Sequence, residues 1–305
     1  MGNGRWDSNA WSGWTASNTA GRSAAQVFTS SGLADEFDPA KIKVRESRDS
    51  VDNPLSTPIM VATDVTGSMG ILAEVLVRDK LNVLASEIYD RKPVTDPHIM
   101  MMAVGDAYCD RAPLQCTQFE ADIRLADQTK RLFIEHGGGG NNGESYALPH
   151  LFAAFKTETD SMAKRGKKGY LFTVGDEPIL PAVTKDQAKR FLGIDFESDI
   201  SAADCIALAS RSFEIFHVVI REGYAKGSNL DHVLRTWQPL LPERVMVLED
   251  HTKIAETIVS AIQVHEGIDK SAVAGSWSGK TSIVVADAIR GLSKRGGQGS
   301  GVVRF

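Results

Sequence analysis

Pro58-Ile59-Met60-Val61-Ala62 runs into Asp64-Val65-Thr66-Gly67-Ser68-Met69-Gly70, and Leu72 to Tyr89 follows. The first segment is apolar without alternation, as a strand buried on both faces requires. The last places Leu72, Val75, Leu76, Val83, Leu84 and Ile88 on one stripe of a helix. A buried strand, a turn rich in side-chain oxygens and an amphipathic helix make one βα unit. The pattern recurs downstream. His98 to Val104, Gly169 to Val174, Phe213 to Ile220 and Arg244 to Leu248 read as further strands. Phe119 to Leu125 alternates and reads as a half-buried edge strand. Helices are predicted over Ala126 to His136, Glu144 to Phe155, Asp186 to Leu192, Ala202 to Ser212, Leu230 to Trp237 and Thr252 to Val264. Strands alternating with helices predict an α/β, Rossmann-like doubly wound fold. Its sheet is mostly parallel and six-stranded, with one antiparallel edge strand and helices on both faces. Ligands of such sheets bind beyond the carboxyl ends of the strands.

The pattern covers residues 56–266, and its flanks differ in composition. Residues 1–55 form an arm rich in Gly, Asn, Ser and Trp. Trp6, Trp11 and Trp14 sit there among small polar residues with no clear helical or strand period. Two readings stay open: a poorly ordered arm, or tryptophans that anchor it in grooves. Ile42-Lys43-Val44 alternates like a short edge strand. Residues 267–305 form a tail, predicted as a loop, a helix over Ser282 to Leu292 and a Gly-rich linker. Its last residues, Val302-Val303-Arg304-Phe305, read as a frayed end or as a strand that adds to a sheet edge.

The 305 residues are 42% apolar and 24% charged, which excludes wholesale disorder. The formal net charge of −5 gives no whole-molecule attraction for nucleic acid. No apolar run is long enough to cross a bilayer. Met1 to Trp6 lacks the apolar core of a secretory signal. Cys109, Cys116 and Cys205 are too few, and odd in number, for a disulfide framework. The expectation is a cytoplasmic protein with no nucleic-acid or membrane partner.

Three segments carry chemistry. Asp64, Thr66 and Ser68 place a carboxylate and two hydroxyls at alternate positions of a turn, the oxygen ligands that hard divalent cations take. Taken alone, the segment reads equally well as ordinary helix capping by Thr66 or Ser68. Gly137-Gly138-Gly139-Gly140-Asn141-Asn142-Gly143-Glu144-Ser145 leads into a helix. Such a run is a flexible linker or a close backbone approach. A phosphate cradle is weakened because no Lys follows in the P-loop position. Thr173-Val174-Gly175-Asp176-Glu177-Pro178 ends a strand in two carboxylates, which also suits a turn.

In this order the segments resemble the von Willebrand factor type A domain with its metal-ion-dependent adhesion site. The motif is closest to the type A domains of hemicentin and of atypical alpha-kinases. The resemblance covers about residues 56 to 266. It implies the strand order 3-2-1-4-5-6 and a site holding Mg²⁺, or Mn²⁺ or Ca²⁺. The implied ligands are Asp64, Thr66, Ser68 and Asp176, with Asn142 where many members carry a Thr. Glu144 or a water could replace Asn142. Asp106, after the second strand, reads as a solvated loop acid or as a residue that steadies the ligands. The implied activity is binding: an Asp or Glu of a partner protein completes the ion's coordination, and the last helix of the domain, here Thr252 to Val264, shifts between closed and open forms.

Other readings compete. Ala274 to Thr281 fits a relaxed P-loop, but no buried strand precedes it. Lys164-Arg165-Gly166-Lys167-Lys168 reads as a solvated turn, and His217 as a core residue. No nucleophile–base pair is readable, so an enzyme is not expected. The leading expectation is a metal-dependent protein-interaction adaptor. The alternatives are a subunit of an AAA-type ATPase assembly, or a structural component of a virion or filament.

Overall fold

Six strands, numbered along the chain, form the main sheet: β1 Thr57–Asp64, β2 Pro97–Val104, β3 Leu114–Cys116, β4 Gly169–Gly175, β5 Phe213–Ile220 and β6 Val245–Leu248. A computed structural model supplies the coordinates and describes residues 4–66, 81–135 and 143–294. The strand order is 3-2-1-4-5-6, the order that the resemblance implies. All neighbours are parallel except β2 and β3, which run antiparallel with Met102 opposite Cys116.

The strands form where the apolar runs predict because each is covered on both sides. All eight residues of β1 are buried. Ile59 and Val61 face one core, and Met60 and Ala62 the other, as the two-residue period of a strand dictates. The covering helices are α1 Ser8–Asn18, α2 Leu81–Arg91, α3 Ala147–Phe155, α4 Ala202–Ala209, α5 Leu230–Trp237, α6 Ile254–His265, α7 Lys270–Gly275 and α8 Gly279–Ala288. Helices α3, α4 and α5 pack on the Met60 face through Leu151, Ile206 and Trp237. Helices α2 and α6 pack on the Ile59 face through Leu84 and Ile258, joined by α7 and α8. All twelve residues of α6 are buried, because the sheet lies on one side of it and α7 and α8 cover another.

The edge of the sheet differs from expectation. Phe119 to Leu125 is not a strand, and the antiparallel edge is Leu114–Cys116. Phe119, Ala121 and Leu125 are buried as the alternation suggests. They reach the core from a loop, bridged to the sheet only between Ile99 and Glu120. Asp122 then accepts the Arg124 N–H at 3.0 Å and turns the chain into a helix, Arg124–Thr129. That helix stops well before His136. The outer edge of β3 is closed by the arm, where the Cys116 N–H donates to the Phe37 carbonyl at 3.1 Å, so no unpaired edge is left at that point.

The arm also departs from its composition. Residues 8–18 are helical despite the missing period. Asp7 caps α1 by accepting from Asn9 and Ala10. Trp11 is 1% exposed, with Trp6 stacked on it at 4.2 Å. Trp6 in turn stacks on Tyr89 of α2 at 5.5 Å, and the Trp14 indole donates to Asp127 at 2.6 Å. Ile42-Lys43-Val44 is not a strand: a turn holds Ile42 to Asp38, and pairing begins at Arg45–Ser47, parallel to Thr157–Thr159. In the tail, Lys270–Gly275 is helical where a loop is predicted, and the next helix spans Gly279–Ala288 rather than Ser282 to Leu292. Val302 to Phe305 and residues 72–80 of the first predicted helix lie outside the described residues.

Two outcomes follow. Trp11→Ala removes a fully enclosed indole and should lower unfolding stability in urea by roughly 3–5 kcal/mol; a change under ~1 kcal/mol would show that the arm is not seated on the core. His98 is buried, and burial pushes it down to about 4. As pH falls below ~6.5 the unfolded chain takes the proton first, so this contribution is intact above that pH and lost progressively toward pH 4. Between pH 7.5 and 5, wild type should lose roughly 2 kcal/mol more than His98→Gln in parallel urea melts. Parallel pH slopes would show that His98 titrates normally.

Candidate metal centre at the strand ends

Asp64 is the last residue of β1, and Asp176 follows the last residue of β4. Thr63 pairs with Val174 across these parallel strands, so the two acids emerge side by side at the carboxyl end of the sheet. They are 0% and 1% exposed. Asp64 Oδ1 accepts from the Thr66 N–H at 2.8 Å and lies 2.7 Å from Thr66 Oγ1. Asp64 Oδ2 accepts from the Tyr146 hydroxyl at 2.8 Å. Asp176 Oδ2 accepts from the Tyr224 N–H.

Thr66 Oγ1 also lies 3.1 Å from Glu144 Oε1. A hydroxyl carries one proton, so Thr66 cannot donate to both acids at once. The chain Glu144–Thr66–Asp64 is consistent when Glu144 holds a proton and donates. Burial, then the charges of Asp64, Glu177 and Asp106, push Glu144 well above the usual carboxylate range. Burial, with the charge of Asp176 added, raises Asp64. Burial, then Asp176 and Asp106, push Glu177 up to about 7. The charges acting on these acids are of one sign. The second oxygen of Glu144, Oε2, is buried with no hydrogen-bond partner among the described residues.

The segment Glu144-Ser145-Tyr146 is predicted as the start of a helix, but α3 begins only at Ala147. Its three residues instead tie the strand-end loops together. The Glu144 N–H donates to the Pro178 carbonyl at 3.0 Å, and the Leu180 N–H to the Glu144 carbonyl at 3.2 Å. Ser145 Oγ accepts from the Ala107 N–H at 2.9 Å. Tyr146 reaches Asp64 because Gly175 has no side chain: a Cβ there would lie 1.8 Å from the Tyr146 hydroxyl oxygen.

Of the residues read from sequence as ligands, Asp64, Thr66 and Asp176 stand at this crest, and Glu144 joins them. Ser68 and Asn142 lie outside the described residues, as do residues 137–141. Asp106 is not a solvated loop acid. It is 0% exposed, accepting from the Tyr108 N–H at 2.9 Å and the Cys109 thiol at 3.2 Å. Tyr146 and Gly175 are the participants that the sequence reading passes over. A tyrosine next to a predicted helix start and a glycine at a strand end are signals for a buried hydroxyl and a close approach. Their pairing spans too much chain to be read locally. Elsewhere, Lys164 and Arg165 of the basic stretch pair with Asp160 and Asp49 at 2.7 Å. His217 is a core residue, stacked on Trp237 at 3.6 Å with the Thr173 hydroxyl 2.8 Å from Nδ1. The P-loop-like stretch spans the junction of α7 and α8.

Among the described residues no three His, Cys, Asp or Glu side chains form a metal-holding group by themselves. The crest joins carboxylates to a hydroxyl instead. An orphaned, buried carboxylate oxygen beside further carboxylates suits a divalent cation, whose charge would offset the mutual repulsion.

No protein-family model matches the chain, and no curated protein does. Solved structures give a distant likeness. The pilus adhesin SpaC of Lactobacillus rhamnosus GG, in its open conformation, is 7% identical over 72% of this chain and 31% of its own, with a TM-score of 0.45. A second crystal form of the same adhesin has a TM-score of 0.43 over 72% of this chain and 32% of its own. Proximal thread matrix protein 1 of the mussel byssus is 8% identical over 69% of this chain and 48% of its own, with a TM-score of 0.37. The chain thus spans about a third of the adhesin's length and about half of the matrix protein's. Among the described residues no helix is long and apolar enough to cross a membrane.

Gly175→Ala should expel the Tyr146 hydroxyl from Asp64 and destabilise the fold by about 1–3 kcal/mol, the usual cost of overpacking. An unchanged urea midpoint would show that the hydroxyl is not seated against Gly175.

Proposed function

We propose that this chain is a von Willebrand factor type A-like module that binds a partner protein through a divalent cation, Mg²⁺ or Mn²⁺. The ion would be held at the strand ends by Asp64, Thr66, Ser68 and Asp176, with Asn142 or Glu144 from the middle loop. Once bound, it would supply a positive field and a coordination position for an Asp or Glu of the partner. The observation that carries the reading is the buried trio Asp64–Thr66–Glu144, two carboxyl groups bridged by a hydroxyl, with Glu144 Oε2 unpartnered among the described residues. Glu144 lies within reach of Thr66, which favours it as the middle-loop contribution.

The chain's own residues prepare the site. Tyr146 and the Thr66 N–H orient Asp64 from opposite sides. Ser145 anchors the loop after β2, and the Glu144 backbone anchors the loop after β4. The module is read as binding rather than catalytic. The nearby Cys109 thiol is pushed up to about 12, by burial first and then by Asp106, the wrong direction for a nucleophile.

Calorimetry tests the reading. Wild type should take up Mg²⁺ or Mn²⁺ with saturable heat. Asp64→Ala should abolish it, and Tyr146→Phe, which keeps the ring, should weaken it by about 10-fold or more. Identical heats for wild type and Asp64→Ala would sink the proposal. A pulldown repeated with a chelator should lose any partner held through the ion.

A further inference from the structure

A cavity of about 300 Å³ lies where residues 36–45 cross the outer edge of β3 and meet the helix Arg124–Thr129. Arg45 lines it and is 7% exposed. Its guanidinium donates to the carbonyls of Glu36 and Cys116. Among the described residues its Nε has no hydrogen-bond partner, and no carboxylate comes within ion-pair distance of it. Burial lowers its affinity for its proton, the mark of a charge removed from water and incompletely compensated. Gln118 lines the same cavity, and its Oε1 is likewise buried without a partner among the described residues. A buried charge is ordinarily paired, and a buried amide ordinarily hydrogen-bonded. Both atoms are sealed from solvent, so what the cavity meets in its wall is the charge of Arg45, which has no counterion among the described residues.

Around them the lining is mixed. Arg124 and Arg131 contribute half-exposed guanidinium groups. Glu36 is held by Arg131, Asp127 by the Trp14 indole at 2.6 Å, and Glu120, behind the lining, by Arg124 at 3.2 Å. These acids repel a polyanion, so the cavity suits a single negative group. Its volume is at the lower end of small-molecule sites and too small for a folded segment. Exposed ion pairs such as Arg131–Glu36 are weak and exchange readily, which leaves Arg131 available to a ligand. Planar guanidinium groups match the oxygens of carboxylate and phosphate.

We propose that this cavity binds a small molecule carrying one oxyanion, a carboxylate or a phosphate, seated on Arg45 and closed over by Arg131. The site shares no residue with the crest of the sheet and stands whether or not a cation binds there.

The test is thermal unfolding and calorimetry of the full chain with inorganic phosphate or glycolate, against chloride at equal ionic strength. At 20 mM, wild type should gain about 2 °C or more with at least one of them. A response to phosphate alone assigns a phosphate ligand, and a response to glycolate alone a carboxylate. Arg45→Gln should remove the response. Arg131→Gln, at an exposed position that tolerates substitution, should weaken it several-fold, and it decides the matter if Arg45→Gln does not fold. No gain over chloride for wild type, or full binding by Arg131→Gln together with loss of fold in Arg45→Gln, overturns the proposal, as does full binding by both variants.

Discussion

The hydrogen bonds of Asp64 set the arrangement of the sheet's crest. One oxygen is held by the residue two places on, the other by a tyrosine that arrives from the far side of the sheet's middle loop. Neither bond works alone. The backbone bond from Thr66 shapes the turn out of β1, and the hydroxyl bond from Tyr146 requires a glycine in β4 and a short stretch ahead of α3 that is not yet helical. Because Glu144, Ser145 and Tyr146 each reach a different neighbour, the loops after β1, β2 and β4 are fastened to one tripeptide. The electrostatic cost of gathering carboxylates there is offset in part by these hydrogen bonds, and the raised proton affinity of Asp64 and Glu144 expresses the remainder.

The parallel strands were legible because they are buried on both faces. Phe213 to Ile220 needs no alternation to be recognised, and its bounds are those of the strand. Where burial is one-sided, the pattern misleads. Phe119, Ala121 and Leu125 alternate like an edge strand, yet they meet the core from a loop, since alternation reports burial and not hydrogen bonding. α1 was illegible for the opposite reason. It has almost no amphipathic period, and it is stabilised by a cap and by three tryptophans whose partners, Tyr89 and Asp127 among them, lie far along the chain. Of the candidate site, the oxygen-rich turns after β1 and β4 could be read from residue type and spacing. Tyr146 and the burial of Asp106 could not, because both depend on which loops the sheet order makes adjacent.

A family resemblance implies a last helix free to shift. Here α6 is enclosed along its whole length, with α7 and α8 laid over it. Sliding it would unseat apolar contacts on two sides at once, so the tail sets the ease of any such motion.

The two extensions share one further feature. Trp6 of the arm stacks on Tyr89 of α2, while Trp277 of the tail lies 3.4 Å beneath the guanidinium of Arg91 on the same helix, which also donates to Ser276. Both flanks of the chain therefore grip the C-terminal turn of α2. Mechanical load applied to the arm at Trp6 would reach this helix directly, whereas load on the tail would pass into the helix and the edge strand β6 together, because α8 packs against that strand.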